Sequence, residues 1–198
     1  MPKVKLFVGV NLATDSTTSR LISNFRKRHD PKFHNNPDPH IALFAPFEID
    51  IKSLDRLKEE LADECDSFFR GGTDNFLSFE KLQTINSKKD HILCIKPIFE
   101  INLKYVADSL LEICKSYFKK DFLYKKNSYQ LMPIGRFYDL DALEAGIQLF
   151  SQRFKLENKS KVESLVLYIK KNGHWVNVEP LFTFDSNDEF LQKKLSCV

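Results

Sequence analysis

Residues 37–49 read P-D-P-H-I-A-L-F-A-P-F-E-I. His40 follows two prolines and opens an apolar run that predicts a strand over Ile41 to Phe47. Asp50 then opens a helix whose apolar positions Leu54, Leu57, Leu61, Cys65 and Phe68 recur at three- and four-residue steps. A histidine at this place is either a polar residue satisfied where a strand begins or a group held for proton transfer. What surrounds the stretch decides between them.

Upstream, Lys5 to Leu12 is apolar and β-rich, and Asp15, Ser16 and Thr17 offer N-caps for a helix through Leu21, Ile22 and Phe25. The link to His40, H-D-P-K-F-H-N-N-P-D-P, is dense in turn residues. Downstream, Gly71-Gly72 ends the second helix. Strands are expected at Phe76 to Thr84 and His91 to Ile98, joined by the polar turn N-S-K-K-D. Leu103, Val106, Leu110, Ile113 and Tyr117 mark an amphipathic helix, and K-K-D-F-L-Y-K-K-N forms a basic loop. A strand over Tyr129 to Phe137 follows, then a helix that Asp141 and Glu144 open in the manner of a capping box. Val162 to Ile169 and Trp175 to Phe184 flank K-N-G-H, an Asn-Gly hairpin turn. The order β-α-β-α-β-β-α-β-α-β-β predicts an α+β domain with mostly antiparallel sheet. No Pro/Gly/Ser linker cuts it, so residues 1–198 are expected to form one domain.

Two strands in this order leave in the same way. H-I-A-L-F-A-P-F-E-I-D at 40–50 and Q-L-M-P-I-G-R-F-Y-D-L-D at 130–141 are each followed by a helix, and aligning Phe47 with Phe137 sets His40 against Gln130. Two halves related by such a repeat would face each other across one cleft. With this layout the chain resembles the 2H phosphoesterase superfamily, also called the 2′-5′ RNA ligase or cyclic phosphodiesterase family, whose hallmark H-x-T/S-x motif occurs twice. P-H-I-A-L matches the first motif with Ala42 in place of the hydroxyl residue, and I-G-R-F at 134–137 fits the end of the second. The second motif is otherwise degenerate. Aligning on Phe gives Gln130-Leu131-Met132, whereas aligning on the Gly-Arg pair gives Leu131-Met132-Pro133.

The resemblance implies a two-lobed fold, with antiparallel sheets around a central groove and helices outside. It implies metal-independent phosphodiester chemistry without a cofactor, on a 2′-5′ linkage or cyclic phosphate of RNA or a nucleotide. One histidine serves as base and the other as acid, because imidazole titrates near neutrality. The hydroxyls donate to phosphoryl oxygens. On this chain the resemblance makes His40 the catalytic residue, with Gln130, Arg136 and His91 as substrate contacts. Gln130 can donate a hydrogen bond to phosphate but cannot exchange a proton near neutral pH. Arg136 can pair with phosphate, or with Asp139 or Asp141. A catalytically inactive RNA- or nucleotide-binding member of the fold and a purely partner-binding protein are the alternatives.

The remaining candidates read as surface. His29 and His34 fall in the loop before the His40 strand, and His174 in the hairpin turn. Lys125 and Lys126, with Tyr124 and Tyr129, form a basic aromatic stretch suited to a solvated loop or a nucleic-acid backbone. Arg26-Lys27-Arg28 reads as an exposed last helical turn, where cations suit the dipole. The net charge of +3 permits an anionic ligand without demanding one. Cys65, Cys94, Cys114 and Cys197 form no C-x-x-C pair, so reduced thiols in a cytoplasmic protein are expected. No signal peptide or membrane span is expected, and the sequence shows no P-loop, G-x-G-x-x-G or H-E-x-x-H motif. A monomer that does not engage membranes is expected.

Overall fold

The computed structural model describes residues 2–14, 16–33, 39–69, 76–99, 101–117, 130–155 and 159–184. Its strands are β1 (Lys3–Leu12), β2 (His40–Ala42), β3 (Phe47–Asp50), β4 (Phe76–Asn86), β5 (His91–Phe99), β6 (Met132–Phe137), β7 (Ser160–Lys171) and β8 (His174–Thr183). Its helices are α1 (Thr17–His29), α2 (Leu54–Phe69), α3 (Ile101–Lys115) and α4 (Leu140–Ser151). Every strand pairing is antiparallel. One part of the sheet has β2 and β3 on one side of β1, with β7 and then β8 on the other. The second part is β4–β5–β6. Among the described residues the two join where β4 meets the start of β7, at Phe76 opposite Lys161 and Leu77 opposite Ser160. The α+β class with antiparallel sheet is as expected.

β1 sits mid-sheet, and its alternation shows why. Val4, Leu6, Val8, Val10 and Leu12 point into the main core, while Phe7 points to the opposite face and joins Val166 and Tyr168. A strand buried on both faces reads as a near-continuous apolar run. In α2, Leu57, Leu61 and Cys65 fall four residues apart and are fully buried, so one stripe of the helix meets the core. The thiols of Cys65, Cys94 and Cys114 are free and buried. Burial pushes Cys65 and Cys94 up to about 12 and raises Cys114 as well, which leaves all three protonated and unreactive at neutral pH.

The strand expected over 41–47 is two strands. β2 pairs with Gly9 to Asn11, β3 pairs with Lys3 to Leu6, and the chain bends between them at Leu43 to Pro46. Pro46 has no N–H to give, so a continuous ladder fails there. The helix expected from Asp50 begins as a single 3₁₀ turn, Ile51–Ser53, capped by the Asp50 carboxylate accepting from the Lys52 N–H. Asp139, not Asp141, caps α4, accepting from the Ala142 N–H at 2.7 Å. Asn172 and Gly173 both have positive φ, as the Asn-Gly hairpin requires. Gly71-Gly72, the basic loop with Lys125, Lys126, Tyr124 and Tyr129, His34 and Cys197 lie outside the described residues.

Two contacts between the two parts of the sheet, and one within the second, position the site. α1 packs on β6, β2 approaches β6, and α4 packs against β5 and β6. The His40 strand and the Arg136 strand therefore meet, although they belong to different parts of the sheet. Among the described residues no helix is long and apolar enough to cross a membrane.

Candidate functional site

His40 is the first residue of β2 and lies opposite Asn11 of β1. Its half-buried ring is 5.1 Å from the Phe7 ring and 5.3 Å from that of Tyr168. Phe7 and Tyr168 stack at 4.5 Å, and the Tyr168 hydroxyl donates to the Asn11 side-chain oxygen at 2.5 Å. Trp175 meets Phe7 edge-on at 4.7 Å. This aromatic group fits because Gly9 lies close against the edges of both rings. A Cβ at that position would come within 3.1 Å of both Phe7 and Tyr168.

In front of His40 is a cavity of about 120 Å³ lined by His40, Trp175, Arg26, Asp30, Ile92, Pro133, Gly135 and Arg136. A single water needs ~10–15 Å³ of such space, so the cavity has room for a phosphate with its oxygens. The far wall is β6. Met132 and Ile134 are fully buried in the core, which leaves Pro133 and Gly135 for the cavity side. The register with β5 shifts between Leu93 opposite Gly135 and Cys94 opposite Pro133. Among the described residues β6 pairs with β5 alone, so Pro133 occupies an irregular edge strand, where a missing N–H is tolerated.

The floor is ionic. Arg26 is 2% exposed and its guanidinium lies 3.6 Å from the Asp30 carboxylate, four residues on. Asp30 also ends α1: its N–H donates to the Arg26 carbonyl, and its carboxylate accepts from the Lys32 N–H. Arg136 Nε is 3.9 Å from Asp30, and Arg136 Nη1 donates to the Asp90 carboxylate. Asp90 sits in the β4–β5 turn and accepts from the Ser87 hydroxyl at 2.6 Å. The Ser87 hydrogen bond, then the Arg136 contact, hold the Asp90 carboxyl below the usual carboxylate range.

The cavity brings together two of the four residues singled out from the sequence, His40 and Arg136. His91 opens β5 opposite Phe137, and its Nδ1 is 2.9 Å from the Asn86 oxygen across the hairpin, outside the lining. Gln130 is half-buried, two residues before β6, and is also outside it. His29 packs on Phe25 and Phe137, and burial, helped by Arg28, pulls its pKa down. His174 is exposed. Among the described residues, His40 is thus the one imidazole in the lining. None of them form a cluster of three or more His, Cys, Asp or Glu side chains suited to a metal ion.

Sequence reasoning missed Arg26, Asp30 and Trp175. The R-K-R turn is not wholly a solvated face, because Arg26 follows Ile22 by four residues and falls on the buried stripe of α1. The partners of Arg136 are Asp30 and Asp90, not Asp139 or Asp141.

No family model matches the sequence, and no curated protein matches it. Solved structures do. Usb1 of Kluyveromyces marxianus superposes with a TM-score of 0.51 at 11% identity, over 89% of this chain and 97% of that one. The same protein with uridine monophosphate gives 0.50 at 11% identity, with the same coverage. A structure described as a phosphoesterase gives 0.51 at 15% identity, over 90% and 97%. At these identities the likeness is one of fold, and it spans nearly the whole chain.

Proposed function

We propose that the cavity binds a phosphate ester of RNA or a nucleotide without a metal, and that the chain is a binding member of the 2H phosphoesterase-like fold. One observation carries the reading: the cavity offers one imidazole, two guanidiniums and the Asp30 carboxylate that pairs with them, but no second imidazole among its described lining residues. Guanidinium forks suit phosphate oxygens, and His40 can donate one more hydrogen bond. Across from it, aligning on Gly135-Arg136 sets Leu131 and Pro133 where the family pattern has its second histidine and hydroxyl. Neither side chain moves a proton, and losing one such partner costs ~10²–10⁴ in rate. The half-buried indole of Trp175 offers a surface for a base outside the small cavity.

The second reading is a divergent phosphodiesterase acting on a 2′-5′ linkage or cyclic phosphate, and the placement of His40 beside Arg136 favours it. Trp175 is the chain's single tryptophan, so its fluorescence reports on the cavity directly. The deciding experiment titrates 2′,3′-cyclic nucleotides and 2′-5′ oligoadenylate against that signal and follows product formation with and without EDTA. Saturable binding with no product supports the binding member. Product formation that survives EDTA supports the enzyme. No binding by any of these ligands removes both.

A further inference from the structure

We propose that Asp30, backed by Asp90, sets the charge of this cavity so that it accepts a singly charged phosphate and rejects a doubly charged one. The ligand class is then a phosphodiester or cyclic phosphate rather than a terminal monoester. This inference rests on the phosphate-binding reading above. Its basis is the charge already present around the cavity.

Two guanidiniums line the space, Arg26 from α1 and Arg136 from β6, and both are matched before a ligand arrives. Asp30 stands in the same lining with a side chain 5% exposed, 3.6 Å from Arg26 and 3.9 Å from Arg136. Asp90 contacts Arg136 from the β4–β5 turn, outside the lining, and Ser87 fixes it there. Other charged groups nearby are His40 on β2, His29 beside Phe137, Lys32 near Asp90, and Lys170, which lies 5.8 Å over the Trp175 ring. Ile92, Pro133 and Gly135 bring none.

A phosphate entering this cavity therefore meets two cations and, at similar range, a carboxylate that cannot leave. One negative charge is matched by the two guanidiniums of the lining and by a hydrogen bond from the His40 ring. A second negative charge finds no further cation in the lining and adds a like-charge contact with Asp30 in a poorly solvated place.

The test compares uridine 2′,3′-cyclic phosphate, which carries one charge, with uridine 3′-monophosphate, whose second ionisation falls near pH ~6. Binding is read by Trp175 fluorescence and by calorimetry from pH 5 to pH 8. At pH 8 the cyclic ester is expected to bind tighter by about tenfold or more. The ratio of the two affinities falls towards one as pH drops through ~6. Because both ligands meet the same protein, proton uptake by the free protein cancels from the ratio.

Asp30→Asn is expected to raise the affinity of the monoester at pH 8 relative to the cyclic ester. Asp30 is buried against Arg26, so Asp90→Asn, at a more accessible site, is the second variant and moves the ratio the same way by less. Equal affinities at pH 8 in the wild type overturn the inference and leave the phosphate reading standing, as does a ratio that neither variant moves. Failure of both ligands to bind at any pH overturns the phosphate reading itself.

Discussion

Replacing Arg26 by Met tests the ionic floor of the cavity most directly. The change keeps an unbranched apolar stem and removes the guanidinium. Were Arg26 part of an exposed helical turn, its i,i+4 pair with Asp30 would be worth only ~0.3–0.5 kcal/mol. It is instead 2% exposed and Asp30 7%, so the carboxylate left behind stays out of water. Removing one partner of a buried pair costs ~3–5 kcal/mol. Asp30 keeps Arg136 at 3.9 Å and the Lys32 N–H, which places the loss near the lower end, ~3 kcal/mol. In a chain of this size each kcal/mol moves Tm by ~2–4 °C, so Arg26→Met should melt roughly 6–12 °C lower. The assay is calorimetric or circular-dichroism melting at pH 7.5 in low and high salt, with little salt dependence expected of a buried pair. Adding Asp30→Asn removes the stranded charge while keeping an acceptor for Lys32, so the double variant should recover much of the loss. A single variant within ~2 °C of wild type, or a double variant showing the sum of both single losses, would refute the reasoning.

Three further outcomes follow from other parts of the molecule. His40→Gln should weaken phosphate-ester binding by roughly 10- to 100-fold, as expected for one charge-assisted hydrogen bond of ~1.5–3 kcal/mol. Its melting temperature should stay close to wild type because the ring is only half-buried; a large drop in Tm with unchanged binding would make His40 structural. Gly146→Ala should destabilise despite the ~1 kcal/mol helix-propensity gain. The new Cβ would lie 2.4 Å from Phe137 Cζ, and overpacking costs ~1–3 kcal/mol; a raised Tm would mean that the Phe137 ring turns aside freely. The folded-state pKa of His29 is below its ordinary value, so the native state binds its proton less readily than the unfolded chain. Stability from this group is therefore full above pH ~6.5 and declines as pH falls below it. His29→Gln should flatten that decline in denaturant titrations between pH 7 and 5, and an unchanged slope would rule His29 out as its source.

Much of the fold is legible in the sequence because its periodicities are strong. The alternation of β1, the four-residue steps of α2 and the Asn-Gly hairpin each follow from where single apolar or turn residues sit. What failed was continuity. An apolar run from Ile41 to Phe47 looks like one strand, but Leu43, Phe44 and Ala45 are buried while the backbone bends at Leu43 and Phe44, ahead of Pro46. Burial makes a run apolar whether or not a ladder continues through it. The α4 cap was misplaced by two residues for a related reason: Asp139 and Asp141 are both suitable caps, and only the chain's exit from β6 selects the first.

The candidate site was legible only where one residue carries the signal. His40 stands out because an imidazole beside prolines at a strand start invites a chemical reading. Arg26 and Asp30 do not stand out, although their spacing is visible, because a pair at i,i+4 near a helix end is ordinary on a surface. Its meaning depends on α1 packing against β6, a contact between segments far apart in sequence. The same contact turns Arg136 from a residue near Asp139 into one held between Asp30 and Asp90. That arrangement constrains the functional reading more than the lack of a second imidazole does. A missing proton donor lowers a rate, and a substrate-assisted path can supply another. A carboxylate fixed between the cavity's two guanidiniums instead limits which phosphate can enter at all, whatever happens to it afterwards. The proposed charge selection at Asp30 therefore has the same consequence whether the chain only binds its ligand or also cleaves it.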